Sequence, residues 1–339
     1  MKFQNTLCFD DVLLKPRYSS IASRREISLK TLLGEVEFSL PVISSPMDTV
    51  TERAMATKMS ALGGLGLIHR YNSPEEQATL VEACVNDGAT NVGFAVGVGE
   101  DAVSRAVKCV NAGGNVVCID VAHGHHNLVR HTIGILRNTF GTSIHIMAGN
   151  VATPEGHQAL SDWGADSVRI GIGGGSICST RIQTGHGMPT FQSVLDCAQR
   201  GGSASIIADG GIRNPGDVVK ALAAGADAVM VGSLLAGTHE SPGEFMYRNG
   251  EKMKIYRGMA SKDAQIDWRG HYSSDEGVSS YVPCKGPAEK ILDNISRGVR
   301  SGLSYSGCRS ILELQTHSEF ITQTSLGNVE SGTHILNRG

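Results

Sequence analysis

The sequence predicts a (β/α)8 TIM barrel from three observations: short apolar, β-branched runs recur eight times, each closes in Gly, Asp, Asn, Ser or His, and each precedes a stretch of helical period. The runs are VISSPM (42 to 47), GLGLIH (64 to 69), NVGFAVG (91 to 97), VVCIDVA (116 to 122), HIMAGN (145 to 150), SVRIGIG (167 to 173), SIIADGG (205 to 211) and AVMVGSL (228 to 234). Their starts lie 22 to 38 residues apart, room for a strand, a helix and two loops. Helices are expected over 75 to 86, 101 to 112, 154 to 163 and 215 to 224, the last two with Thr153 and Asn214 as N-caps and proline at the first helical position. Uninterrupted alternation with a count of eight favours a closed parallel barrel over a doubly wound open sheet.

The 339 residues suit one barrel domain with two additions. These are an N-terminal arm of about 40 residues and a C-terminal stretch from about 240, whose Gly- and Ser-rich part, 259 to 287, is expected to be mobile. A net charge of −3 without a run of Lys or Arg gives no footprint for nucleic acid or a membrane surface, so any bound phosphate belongs to a small molecule. Asp10 and Asp11 interrupt the region where a signal peptide would be apolar, and no apolar run approaches about 18 residues. A cytoplasmic protein is expected. Eight scattered cysteines without CxxC pairs suggest neither a disulfide framework nor a zinc site.

In a barrel, the loops after the strands build the active site, so Met47, Asp120, Asn150, Gly173, Asp209 and Gly232 face one mouth. The loop GIGGGSICSTR (171 to 181) has glycines that let its backbone approach a ligand or ion, and their spacing is too loose for a dinucleotide fingerprint. Cys178 follows them in a polar strand-end loop, a placement suited to a nucleophile or to simple packing. Cys84, Cys109 and Cys197 sit in helical apolar patterns and Cys118 lies within a strand, so these four read as structural. Phosphate binding has candidates in the amides at 211, 232 and 233, because barrels often hold phosphate after strands seven and eight. The bland alternative is that these glycines merely permit tight turns. Asp209 suits ribose hydroxyls, since a carboxylate repels phosphate. His123, His125 and His126 lack the carboxylates or HExxH spacing of a zinc site. Asp48 reads equally as a turn cap or a ligand contact.

Nine ordered stretches resemble the IMP dehydrogenase/GMP reductase family over nearly the whole chain: CFDDVLLKP (8 to 16), SSPMDTVTE (44 to 52), GGLGLIHR (63 to 70), CIDVAHGH (118 to 125), AGNV (148 to 151), GIGGGSICSTR (171 to 181), IADGGIR (207 to 213), GSLLAGT (232 to 238) and YRGM (256 to 259). The resemblance implies a homotetrameric barrel whose loop cysteine bonds to C2 of a purine nucleoside monophosphate while a nicotinamide cofactor exchanges hydride there. Carried over by position, the nucleotide would meet Ser45, Met47, Asp209, Gly210, Gly211, Gly232, Ser233, Tyr256, Gly258, Met259 and Gly277. The cofactor would meet Asp120, Val121, Ala122 and Gly171, with Ser23, Arg24 and Arg70 as candidates for the 2′-phosphate of NADPH from within or across a subunit. A monovalent cation, K+, would sit on carbonyls among Gly171, Gly173, Cys178 and Arg181. The family usually has Pro or Ser where Gly174 stands, which implies a more flexible loop here.

Two activities share the cysteine adduct: the reductase expels ammonia from GMP and uses NADPH, and the dehydrogenase oxidises IMP with NAD and hydrolyses the adduct. The pair of regulatory modules common in dehydrogenases is missing between strands two and three. The segment from Met259 to Glu276 lacks an adjacent Arg-Tyr pair, and RIQTGHGMP (181 to 189) resembles the reductase's Arg-x-Lys-Thr-Gly-x-Gly. Against this, SSPMDTVTE and the tail NVESGTH (328 to 334) resemble the dehydrogenase, and Ser273 replaces the arginine of the reductase's Arg-x-x-Glu-Gly. The reductase is preferred, with Cys178 as nucleophile and Thr180 and Glu276 as a proton relay. The alternatives are a dehydrogenase without modules and a catalytically idle nucleotide-binding homologue.

Overall fold

A computed structural model describes residues 3–273 and 275–332. Eight parallel strands close on themselves in chain order: β1 (Val42–Ser44), β2 (Leu65–Ile68), β3 (Gly93–Val96), β4 (Val116–Asp120), β5 (His145–Val151), β6 (Ser167–Ile170), β7 (Ser205–Asp209) and β8 (Ala228–Val231). The β8 to β1 pairing, Val229 with Val42 and Met230 with Ile43, completes the ring. Each strand coincides with one of the eight apolar runs; seven are shorter than their run, whose closing residues turn into the mouth loops, and β5 extends one residue beyond its run to Val151.

The outer layer is α1 (Arg53–Ala61), α2 (Pro74–Asn86), α3 (Glu100–Asn111), α4 (Asn127–Phe140), α5 (Pro154–Asp162), α6 (Thr190–Arg200), α7 (Pro215–Ala223) and α8 (Ala288–Tyr305). The expected caps are present: Thr153 Oγ1 accepts from the Gly156 N–H at 3.2 Å and Asn214 Oδ1 from Asp217 at 3.0 Å. Ser73 and Glu76 add a reciprocal capping box to α2. No helix among the described residues is long and apolar enough to cross a membrane.

The barrel interior is a separate apolar cluster of Ile43, Leu65, Leu67, Val116, Cys118, Met147, Ile207 and Met230, closed at the end opposite the mouth by Leu33 and Phe38. These two come from a hairpin of the N-terminal arm, Thr31–Leu33 with Val36–Phe38. The hairpin is held at the strand starts by Thr31 Oγ1 donating to the Asp227 carbonyl at 2.8 Å and by the Gly34 N–H donating to Ser205 Oγ at 3.2 Å.

The C-terminal stretch carries regular structure that its composition does not announce. Much of 259 to 287 is regular, with a helix Lys262–Arg269 and a strand Ser279–Pro283 that joins Met246–Arg248 and Glu251–Arg257 in an antiparallel sheet. Its composition reads as loop, yet Trp268 stacks on Tyr71 at 4.4 Å between ring centroids. Arg257 donates to Asp48 from Nε (2.9 Å) and Nη2 (2.6 Å), which settles Asp48 as an anchor for this strap.

Phe38→Ala should cost about 3–5 kcal/mol of unfolding free energy by opening a cavity under the barrel interior. Urea unfolding checks this, and a loss below about 1 kcal/mol would show that the hairpin does not close the core.

Candidate functional site

The strand-end residues Met47, Asp120, Asn150, Gly173, Asp209 and Gly232 line one cavity of about 430 Å³ at the mouth, together with Cys178, Thr180 and Glu276. That volume suits a small organic ligand.

The cysteine loop leaves β6 through Gly171. A Cβ there would stand 1.9 Å from the Asp209 carbonyl oxygen at a φ of 150°, so the loop passes β7 at a distance that glycine alone permits. Gly174 has a steric reason too, since a Cβ would fall 2.5 Å from Thr190 Oγ1. Arg181 braces the far side, its Nη2 donating to the Met188 carbonyl at 2.9 Å.

Cys178 Sγ donates to Thr180 Oγ1 at 3.2 Å, and Thr180 Oγ1 donates to Glu276 Oε2 at 2.8 Å. The direction is fixed by the carboxylate, which only accepts, so the threonine turns a lone pair to the thiol. Glu276 arrives from the strap, which is sewn to the cysteine loop by an antiparallel bridge between Cys178 and Gly277, by the Ser179 N–H donating to the Glu276 carbonyl (3.1 Å), and by Ser179 Oγ donating to the Asp275 carbonyl (3.1 Å). Gly277 therefore supports the loop from outside the cavity wall.

On another wall stands an ion cluster that sequence reasoning missed. Arg169, inside β6, donates from Nη1 to Asp120 Oδ1 (2.5 Å) and from Nη2 and Nε to Asp209 Oδ2 (2.9 and 3.2 Å). Asn150 Nδ2 donates to the same Asp209 oxygen at 2.7 Å and to the Gly171 carbonyl at 2.8 Å. Burial opposes the Arg169 charge, but Asp209, Cys118 and Asp120 outweigh it and hold its pKa well above the ordinary arginine value. The available signal was an arginine at an inward position of an apolar strand, a placement that demands carboxylates.

Ser45, Met47 and Tyr256 converge on Gly232, where a Cβ would lie 3.1 to 3.3 Å from Tyr256 Oη, Met47 Sδ and Ser45 Oγ. Burial raises the Tyr256 pKa, and a hydrogen bond with Ser176, a second residue missed in the sequence, opposes that rise. Gly210, Gly211, Ser233, Gly258, Met259, Val121, Ala122 and Arg70 complete the expected lining. Arg70 Nη2 donates to the Asp120 carbonyl at 3.2 Å.

Ser23 and Arg24 are not brought to the cavity of their own chain. Ser23 caps a 3-10 turn, Arg24–Glu26, which packs against α8, and its hydroxyl accepts from the Arg25 N–H at 3.3 Å. Of the three histidines, His126 caps α4 by accepting from the Leu128 N–H at 3.1 Å, and His125 rests against Trp163. The NVESGTH run ends in residues 333 and 334, and Ser274 interrupts the strap motif; these three lie outside the described residues.

Residues 6–334 match the family model described as IMP dehydrogenase / GMP reductase domain. Among curated relatives, an inosine-5′-monophosphate dehydrogenase of Cryptosporidium parvum is 37% identical, covering 97% of this chain and 94% of its own length. A GMP reductase of Leishmania major is 31% identical, covering 98% and 97%. A cysteine-to-alanine variant of GMP reductase from Trypanosoma brucei, solved with guanosine 5′-monophosphate, superposes with a TM-score of 0.94 at 31% identity over 99% of both chains.

Arg169→Met should destabilise the protein by about 3–5 kcal/mol, because it strands two carboxylates at the mouth. The deficit should shrink in acid as those carboxylates protonate; an unfolding free energy equal to wild type at neutral pH would mean that water, not Arg169, satisfies them.

Proposed function

The chain belongs to the IMP dehydrogenase/GMP reductase family, whose members are oxidoreductases that use a nicotinamide cofactor, and on that premise we propose that it reduces GMP with NADPH to IMP and ammonia through a covalent bond between Cys178 and purine C2. The hydrogen-bonded line from Cys178 through Thr180 to Glu276 carries this reading. It gives the thiol proton a path to a carboxylate and gives the departing amine a proton in return.

In this reading the nucleotide lies across Gly211, Gly232, Ser233 and Tyr256 with its phosphate. Asp209, whose Oδ2 is held by three donor groups, keeps Oδ1 for a ribose hydroxyl. Cys178 sulfur bonds to C2 as its proton passes through Thr180 to Glu276. The bond from C2 to the exocyclic nitrogen then breaks, and Glu276 returns the proton so that ammonia leaves. A bound nicotinamide would supply the hydride that C2 takes up as its bond to the Cys178 sulfur breaks, leaving IMP and the free thiolate. Asp120, Val121, Ala122 and Arg70, which line the same cavity, would hold the cofactor, and Ser23 and Arg24 would reach its 2′-phosphate from another subunit of a homotetramer. A potassium ion would be held by carbonyls of the cysteine loop among Gly171, Gly173, Cys178 and Arg181, of which those of Gly171 and Arg181 already accept from Asn150 Nδ2 and the Gly185 N–H.

The dehydrogenase is the second reading, favoured by the SSPMDTVTE run. Absence of a module insertion does not decide between them. The Leishmania major reductase and the Nitrosopumilus maritimus dehydrogenase align over 478 and 472 positions against a chain of 339 residues, so both carry many residues that have no counterpart here. The reductase is favoured by the strap, where Arg269 and Tyr272 are not adjacent and Arg269 Nη2 donates to Ser273 Oγ at 3.2 Å, bringing a guanidinium beside the position where the motif's arginine is replaced.

With GMP and NADPH, absorbance at 340 nm should fall; a rise with IMP and NAD instead would assign the dehydrogenase, and silence in both with no Cys178 adduct by mass spectrometry would assign a binder. Glu276→Gln should lower kcat by about 10²- to 10⁴-fold while leaving nucleotide affinity near wild type. Turnover within tenfold of wild type would remove Glu276 from the relay.

A further inference from the structure

The charges lining the cavity do not suit a phosphate dianion. Arg70 and Arg169 stand against Asp120, Asp209 and Glu276, a surplus of one carboxylate. Arg169 is committed to Asp120 and Asp209, and Arg70 lies against Asp120. A dianion brought here needs a positive charge from outside the lining.

One is built in behind the loop that follows β8. Gly232 and Ser233 line the cavity, and the chain then turns tightly, with the Leu235 and Ala236 N–H groups both donating to the Gly232 carbonyl at 3.0 Å. Lys285 Nζ donates to the carbonyls of Ser233 and Leu234, the latter at 3.4 Å. Its own N–H donates to the Gly237 carbonyl at 3.0 Å, and the next residue, Gly286, pairs with Thr238. Lys285 is thus clamped to the loop both by its ammonium and by its own main chain.

Lys285 forms no ion pair among the described residues. Burial alone pushes its pKa below the ordinary lysine value, with no carboxylate to restore it. A half-buried cation held by carbonyls and lacking a counter-ion is an unbalanced charge, and it lies against the carbonyls of Ser233, which lines the cavity, and of Leu234 next to it. Carbonyl contacts leave its net charge intact, so its field continues through the loop to whatever binds in front.

We propose that Lys285 is the counter-charge of the substrate's 5′-phosphate, a positioning residue that acts through the Gly232 to Leu234 turn. The inference rests on the reading that a purine nucleoside monophosphate is bound, and it holds for GMP and IMP alike. The lysine both aligns the turn and offsets the surplus carboxylate, so the phosphate group gains from it and the nucleoside part does not.

Three variants separate charge from support. Lys285→Gln removes the charge and keeps a donor for the carbonyls, Lys285→Met removes both, and Lys285→Arg keeps both. Calorimetric titration of the full chain with GMP, with IMP and with guanosine reads the difference. Lys285→Gln and Lys285→Met should each weaken monophosphate binding about tenfold or more, leave guanosine within about twofold of wild type, and raise KM with kcat nearly unchanged; Lys285→Arg should stay within about threefold throughout. Wild-type monophosphate affinity in Lys285→Gln, or an equal loss for guanosine and monophosphate, overturns the proposal. Should the methionine variant fail to fold, the glutamine variant carries the same comparison. A wild type that binds IMP and not GMP would overturn the reductase reading while the lysine is still judged on IMP.

Discussion

The guanidinium of Arg169, buried among carboxylates inside the barrel mouth, is the interaction on which the site depends. A closed barrel of eight strands fills its interior with apolar side chains, and here one inward position on β6 is occupied by a permanent cation. It can remain there because β4 and β7 end in Asp120 and Asp209, which meet it from either side. The cluster in turn fixes the direction of both carboxylates and, through Asn150, ties the start of the cysteine loop to β7. The same cluster makes the wall acidic. On the proposed reading, a substrate phosphate therefore lies elsewhere on the rim, away from this acidic wall.

The second constraint is that one half of the proposed relay is not on the barrel. Cys178 and Thr180 belong to the loop after β6, whereas Glu276 is delivered by a strap nearly a hundred residues later in the chain. Its placement relies on a sequence of contacts around the mouth: Arg257 with Asp48, Trp268 with Tyr71, and the Cys178 to Gly277 bridge. Tyr71 is itself held by its N–H donating to His69 Nδ1 at 3.1 Å, and His69 Nε2 lies 2.9 Å from Glu52. Since Nδ1 accepts, Nε2 carries the hydrogen and donates to that carboxylate. The loops after β1, β2 and β6 thus share in orienting a single carboxyl group.

The barrel was legible because apolar periodicity and strand-end chemistry report local facts: eight buried strands must be apolar, and each must end where backbone polarity returns. Thr153 and Asn214 were legible as caps for the same reason. The regular structure of the strap was not legible because Gly, Ser and Asp recur in its composition, and the residues it packs against, Tyr71 and Asp48, lie about two hundred residues away in the chain. Arg169 escaped notice because a lone charge in an apolar run carries no mark of which distant carboxylates will meet it. Ser23 and Arg24 came from resemblance alone, and within one chain the capping box of Ser23 and Glu26 keeps them on a local turn beside α8. Gly174 was taken for a gain in flexibility, whereas packing against Thr190 leaves little room for a side chain.

Eight cysteines pose a question of selectivity that placement answers. Burial pushes the thiols of Cys109, Cys118 and Cys197 up to about 12 and raises Cys84 as well, so at neutral pH they stay protonated inside the apolar layers. Cys118 has a guanidinium nearby, Arg169 Nη1 at 3.5 Å, yet burial still prevails because that cation is already balanced by two carboxylates. Cys178 differs in kind: it lies half-exposed in the cavity wall, and its proton points along a hydroxyl to an acceptor. Proximity to positive charge therefore does not single out a nucleophile in this fold. What distinguishes Cys178, the proposed nucleophile, is its place in the cavity wall on one side and, on the other, an acceptor for its proton.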